Sequence, residues 1–142
     1  MRRHKRYIVL AVLLLYPGLI VFAQNRSDSP LAGEPISRGK YIVEHLAMCT
    51  QCHTPRNEQG DLLLSHYLKG APVPVQGPRH LGKWALRAPA VAGFPGYTRQ
   101  EGLRLLMDGV TRDGRTPSPP MPPFRMKRED AEAVVAYLQS LE

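Results

Sequence analysis

The 142-residue chain is predicted to be all-α, with three helices joined by long loops rich in proline and glycine. Three observations carry this. Apolar residues recur at helical spacing near Gly39–Leu46, Leu103–Met107 and Ala131–Leu141. No stretch alternates apolar and polar residues for long enough to build a sheet. Between these segments, Pro72, Pro74, Pro78, Pro89 and Pro95 punctuate the chain so densely that neither helix nor interior strand can run through it.

In order, the chain opens with Arg2, Arg3, His4, Lys5 and Arg6, followed by an uncharged, mostly apolar run from Tyr7 to Ala23. A basic flank before a short apolar core is a targeting segment, outside the fold. Residues 1–23 are expected to be a signal peptide, with Val21-Phe22-Ala23 as cleavage site, or an N-terminal membrane anchor through residues 7–23. Basic residues stay on the cytoplasmic side in either case, so the remainder is exported. Residues 24–36, with Ser27, Ser29, Pro30 and Pro35, are expected to be a flexible lead-in.

The domain proper is expected over 37–142. Ser37 is a candidate N-cap, and Gly39, Ile42, Val43 and Leu46 follow at i, i+3, i+4 and i+7 on a helix that runs into the next motif. Glycine within a helix costs about 1 kcal/mol against alanine, so Gly39 points to a second helix passing close by. The nominated partner is the terminal helix, Glu129 to Leu141, with Ala131, Val134, Val135, Leu138 and Leu141 on its apolar side and Tyr137 packed over Gly39. The third helix is marked by Thr98-Arg99-Gln100-Glu101, a capping box, and stopped by Gly109. Leu62 to Leu68 adds a short helix in the loop.

Chemistry concentrates in Cys49-Thr50-Gln51-Cys52-His53, which holds the only two cysteines. Two thiols at this spacing can add to the two vinyl groups of a haem, while the adjacent imidazole reaches the iron. The alternatives are weaker. A thioredoxin-like pair sits between strand and helix in a βαβ pattern absent here, and zinc needs two further ligands at comparable spacing. A disulfide across two residues would constrain little of the unfolded chain. One covalent haem c also suits the size of the domain, because removing 23 residues leaves 119, a thin core that a large apolar cofactor completes.

The sixth iron ligand decides between electron transfer and small-molecule chemistry. Met121 lies in Ser118-Pro119-Pro120-Met121-Pro122-Pro123-Phe124, whose prolines hold the backbone extended just before the terminal helix, and it is the leading candidate. Met126, a histidine or an open site remain alternatives, whereas Met48 adjoins the first cysteine and Met107 fits a helix face. His45, His66 and His80 read as loop or solvent-facing residues. Charge points away from nucleic acid: four of the nineteen basic residues belong to the leader, leaving fifteen, dispersed, against twelve acidic ones. Lys83, Arg87 and Arg99 could steer an acidic partner.

Taken together, Arg38-Gly39-Lys40-Tyr41, Cys49 to Pro55, Asp108-Gly109, Asp113-Gly114, Pro120-Met121-Pro122, Glu129-Asp130 and Ala136-Tyr137-Leu138 make Ser37 to Leu141 resemble the class I mono-haem c-type cytochromes. The resemblance is to the bacterial periplasmic kind found beside, or fused to, membrane-bound dehydrogenases; Gln59 to Gly96 follows the family only loosely. It implies a small cytochrome c fold with crossed N- and C-terminal helices around one haem. It further implies thioethers at Cys49 and Cys52, a proximal ligand at His53 and a distal ligand at Met121, with iron bound by His53 and Met121. The function implied is one-electron transfer by a carrier or subunit without catalysis of its own, between a donor dehydrogenase and an acceptor oxidase or cytochrome. The rival class is a haem enzyme or a gas or peroxide sensor with a displaceable sixth ligand. Trp84 or Arg87 could contact the propionates, but loop packing for the one and a solvated charge for the other are the plainer readings.

Overall fold

The structure, a computed structural model, describes residues 35–78 and 83–141. The expected leader (1–23), nearly all of the lead-in and His80 therefore lie outside the described residues. Helix α1 spans Pro35–Tyr41. Proline suits the first helical position, where its fixed φ is already helical and its missing N–H has no intrahelical partner to lose. This corrects the expected helix start: Ser37 lies within the first turn and is not its N-cap.

Beyond Tyr41 the helix widens into a π-turn over Ile42–Leu46, closed by the Ala47 N–H donating to the Ile42 carbonyl at 2.8 Å, five residues back. The extra residue rotates all that follows. Gly39, Ile42 and Val43 are buried as the spacing predicts, but Leu46 is turned out and is 61% exposed. Nor does the helix run unbroken into the motif: Met48 takes a left-handed conformation (φ 49°), and the separate one-turn helix α2, Cys49–His53, begins after it.

Helix α3 spans Arg99–Asp108 with the predicted capping box, the Glu101 N–H donating to Thr98 Oγ1 and the Thr98 N–H to Glu101 Oε2. Gly109 closes it at φ 68°, a conformation a side chain would strain. Helix α4, Arg128–Gln139, buries Ala131, Val134, Val135, Tyr137 and Leu138. Its first turn carries Glu129 and Asp130, favourable to the helix dipole.

α1 and α4 cross where the sequence places them. A methyl group built on Gly39 would lie 2.7 Å from the Tyr137 Cβ and closer still to the Ala133 carbonyl, so only glycine admits this contact. At the rim, Arg38 Nε donates to Asp130 Oδ1 at 2.7 Å. Next to the crossing, the Tyr67 hydroxyl donates to Glu44 Oε1 at 2.7 Å and lies 3.1 Å from the Tyr137 hydroxyl. α3 packs on α4 with the Phe94 ring against Gly102, where Val135 also lies close.

The described parts of the long connection from Thr54 to Thr98 mostly lack repeating structure. Leu68 is fully buried; its N–H donates to Thr54 Oγ1 at 2.9 Å, and its carbonyl accepts the Val91 and Ala92 N–H groups at 2.9 and 3.1 Å. The helix expected over Leu62 to Leu68 reduces to one 3₁₀ turn, Leu64–His66. Two strands of two residues each, β1 (Ala71–Pro72) and β2 (Arg87–Ala88), pair antiparallel in the register Ala71↔Ala88. The Gly93 N–H then donates to the Leu138 carbonyl at 2.8 Å, tying the loop to the end of α4. Helices dominate and the sheet is minimal, so the fold is all-α.

Candidate functional site

Cys49 and Cys52 stand on α2 one turn apart, both as free thiols and both half-buried. Burial pushes the Cys49 thiol up to about 11; a backbone N–H opposes this, and the neighbouring Cys52 adds to it. A thiol held neutral in this way is poorly suited to thiolate redox chemistry, which needs a lowered pKa.

His53, at the end of α2, is buried, and its Nδ1 lies 2.7 Å from the Pro89 carbonyl oxygen. A carbonyl can only accept, so Nδ1 carries the proton and Nε2 keeps its lone pair. Burial holds the imidazole below its ordinary pKa, partly opposed by the bond to Pro89, so the ring stays neutral. A neutral ring of fixed tautomer, with a carbonyl behind it, is the usual arrangement of a metal-ligating histidine. The C-terminal end of α2 is fixed as well, since the Gly70 N–H donates to the His53 carbonyl at 2.8 Å.

Cys49, Cys52, His53 and Met121 all line one cavity of about 320 Å³. Its walls are almost entirely apolar, with Val73, Phe94, Leu105, Leu106, Val134 and Leu138 among them. Arg87 is the only Arg, Lys, Asp or Glu among the described residues that line it. Among the described residues, no three His, Cys, Asp or Glu side chains are grouped to hold a bare metal ion. The donor set therefore suits a haem: paired thiols for its vinyl groups, an imidazole nitrogen and a thioether for its iron, and an apolar enclosure for the macrocycle.

The other candidates fall elsewhere. Met107 and Met126 pack against the core without lining the cavity. Met48 lines it but is 56% exposed and adjoins Cys49. His45 is exposed beside Glu44, and His66 is exposed and bonded to Ser65. Of the two candidate propionate contacts, Trp84 is engaged in loop packing: its indole N–H donates to the Val75 carbonyl at 3.0 Å and its ring lies against Gly77. Pro89 is the participant that sequence reasoning missed. Its carbonyl is a backbone group 36 residues from His53, and no side-chain pattern announces it.

Comparison with known proteins bears on the same residues. A family model described as "Cytochrome c" matches residues 36–142. The cytochrome subunit of fructose dehydrogenase from Gluconobacter japonicus is 31% identical over 115 residues, covering 74% of this chain and 22% of that protein. One of the subunits of nicotinate dehydrogenase from Pseudomonas putida is 32% identical over 113 residues, covering 75% of this chain and 9% of that protein. A diheme cytochrome c-type protein of Cereibacter sphaeroides is 51% identical over a shorter stretch of 37 residues, covering 26% of this chain and 12% of that protein. The matched region spans about a fifth or less of each relative's length. A match over three quarters of the sequence, which includes a Cys-x-x-Cys-His motif at an apolar cavity, assigns this chain to the cytochrome c family, the c-type cytochromes with covalently bound haem c.

Proposed function

We propose that the chain is a one-electron carrier in which Cys49 and Cys52 hold haem c through thioethers and His53 and Met121 ligate its iron. The observation that carries this reading is the convergence of these four side chains on one apolar cavity. Haem c, when bound, supplies the one-electron couple. The protein's own part is to place and insulate it. The Pro89 carbonyl holds the His53 ring with Nε2 free, and the proline-flanked segment keeps Met121 from folding away into a helix. Thioether ligation raises the potential relative to a bis-histidine pair. The apolar walls exclude water and keep the ionic oxidised state from being over-stabilised.

The partners are a dehydrogenase as electron donor and an oxidase or second cytochrome as acceptor. Support comes from the two relatives named as subunits of dehydrogenases. The site of action is the periplasm, supported by the basic flank at 2–6 and the apolar run at 7–23, which act as signal peptide or anchor. The domain boundaries in this reading are a leader over 1–23, a flexible lead-in over 24–36 and the haem domain over 37–142.

The test is expression of the full chain in a host able to attach haem c, followed by a haem stain after denaturing electrophoresis. The wild type is expected to stain, Cys49→Ala to stain weakly and the Cys49→Ala/Cys52→Ala double variant not at all. A double variant that stains like the wild type would place the attachment elsewhere. Fast binding of carbon monoxide by the reduced wild type would instead favour an enzyme or sensor with a displaceable ligand.

A further inference from the structure

We propose that Met48 is an oxidation site: its thioether takes one oxygen atom from a peroxide to become the sulfoxide, and the polar group formed at the cavity mouth shifts the haem couple toward ferric. The effect on the couple rests on the haem occupying the cavity as proposed above; the site itself does not. Met48 lines the cavity and is 56% exposed, so its side chain meets both the cavity and solvent. Met107, Met121 and Met126, the other described methionines, are each partly buried and packed against the core, and the sulfurs of Cys49 and Cys52 are half-buried. Oxidation of a thioether follows its access to the oxidant, which singles out Met48.

The backbone holds it at the mouth. Of the three non-glycine residues at positive φ among those described, Leu68 and Phe94 are buried in the core, where packing accounts for the conformation. Met48, at φ 49°, is exposed, and such strain is a mark of a functional constraint. Its local cause lies before and after it: the Ala47 N–H closes the π-turn on the Ile42 carbonyl at 2.8 Å, and the Gln51 N–H donates to the Met48 carbonyl at 3.0 Å as α2 begins. Met48 is thus pinned between two turns, directly before Cys49, and its side chain takes no part in the core cluster. The chemical step balances without a cofactor. A sulfur lone pair attacks one peroxide oxygen, the O–O bond breaks as the S–O bond forms, the sulfur gives up two electrons, and water leaves. The product puts a strong dipole at the edge of an almost wholly apolar cavity, and a more polar surround stabilises the positive charge that oxidation leaves on the iron.

The test treats ferric holoprotein of the full chain with hydrogen peroxide, quenches it with catalase at partial conversion and maps the methionines by mass spectrometry. Met48 is expected to gain oxygen at least about fivefold faster than Met107, Met121 or Met126, with the far-red band kept while Met48 is converted. The reduction equilibrium of that material should lie at least about twofold further toward ferric than before treatment. Untreated Met48→Gln, which carries a comparable dipole, should move in the same direction, and Met48→Leu given the same dose should not move. Equal rates at Met48, Met107 and Met126, or a Met48 sulfoxide that leaves the equilibrium unmoved, would overturn the proposal. Should Met48→Gln fail to load haem, treated wild type against treated Met48→Leu decides the effect on the couple. The mapping requires no particular iron ligand, so it decides the site even where the untreated wild type lacks the far-red band, a result that would count against the proposed ligation alone.

Discussion

His53 owes its orientation to a carbonyl 36 residues away, and that separation marks how far single residues could be read from the sequence. Cys49, Cys52 and His53 stood out because they fall within five consecutive positions, at the spacing that thioether attachment of a haem would need. Met121, which lines the cavity, stood out because six neighbours within three positions include four prolines. Pro89 was not legible, because any residue can offer a carbonyl and only the folded loop determines which one arrives. Two expectations follow for single residues. Met121→Leu should keep its haem but bind carbon monoxide within the mixing time of a stopped-flow experiment, whereas the wild type should bind it slowly; equal, slow binding in both would remove Met121 from the iron. Thr98→Ala, which breaks the capping box of α3 away from the cavity, should cost about 1 kcal/mol in urea unfolding and leave the visible spectrum unchanged.

Among the elements, helix positions and the α1–α4 crossing were predictable from apolar spacing and one glycine, while the detail at α1 was not. A 3.6-residue period puts Leu46 on the buried side, and the π-turn at Ile42–Leu46 takes it off. Nothing in the five residues themselves announces such a turn, so the helical period alone could not foresee it. The crossing gives a direct expectation. Gly39→Ala drives a methyl group into the Ala133 carbonyl and the Tyr137 Cβ, so it should destabilise the fold by about 2–3 kcal/mol, despite alanine's better helix propensity. A neutral or stabilising result in chemical denaturation would show that α1 and α4 do not meet this closely. The hydroxyl cluster beside the crossing adds a pH dependence. Burial, followed by the bonds to Tyr137 and Glu44, raises the Tyr67 phenol above its ordinary 10. A raised acid retains its proton in the folded state, so its contribution is intact below about pH 10 and is lost as pH rises beyond that value. Stability is therefore expected to fall above pH 10, and Tyr67→Phe should flatten that fall.

For the molecule as a whole, the all-α class followed from three apolar periodicities and the absence of any alternating run, and the two-residue strands β1 and β2 are too short to leave a pattern. What the sequence could not convey is how two distant parts of the connection between α2 and α3 are tied together: Leu68, buried at φ 56°, accepts backbone bonds from Val91 and Ala92. A core that includes a 320 Å³ apolar cavity is incomplete as polypeptide alone. Protein made without haem is thus expected to show loose tertiary packing, seen as dye binding and loss of near-ultraviolet circular dichroism. Ligation of one haem c by His53 and Met121, on which the carrier function rests, can be read from the far-red absorption of the oxidised, purified wild type. The weak band of a ferric centre with a thioether ligand is expected; a red protein, haem attached, without that band in the wild type would contradict the proposed ligation.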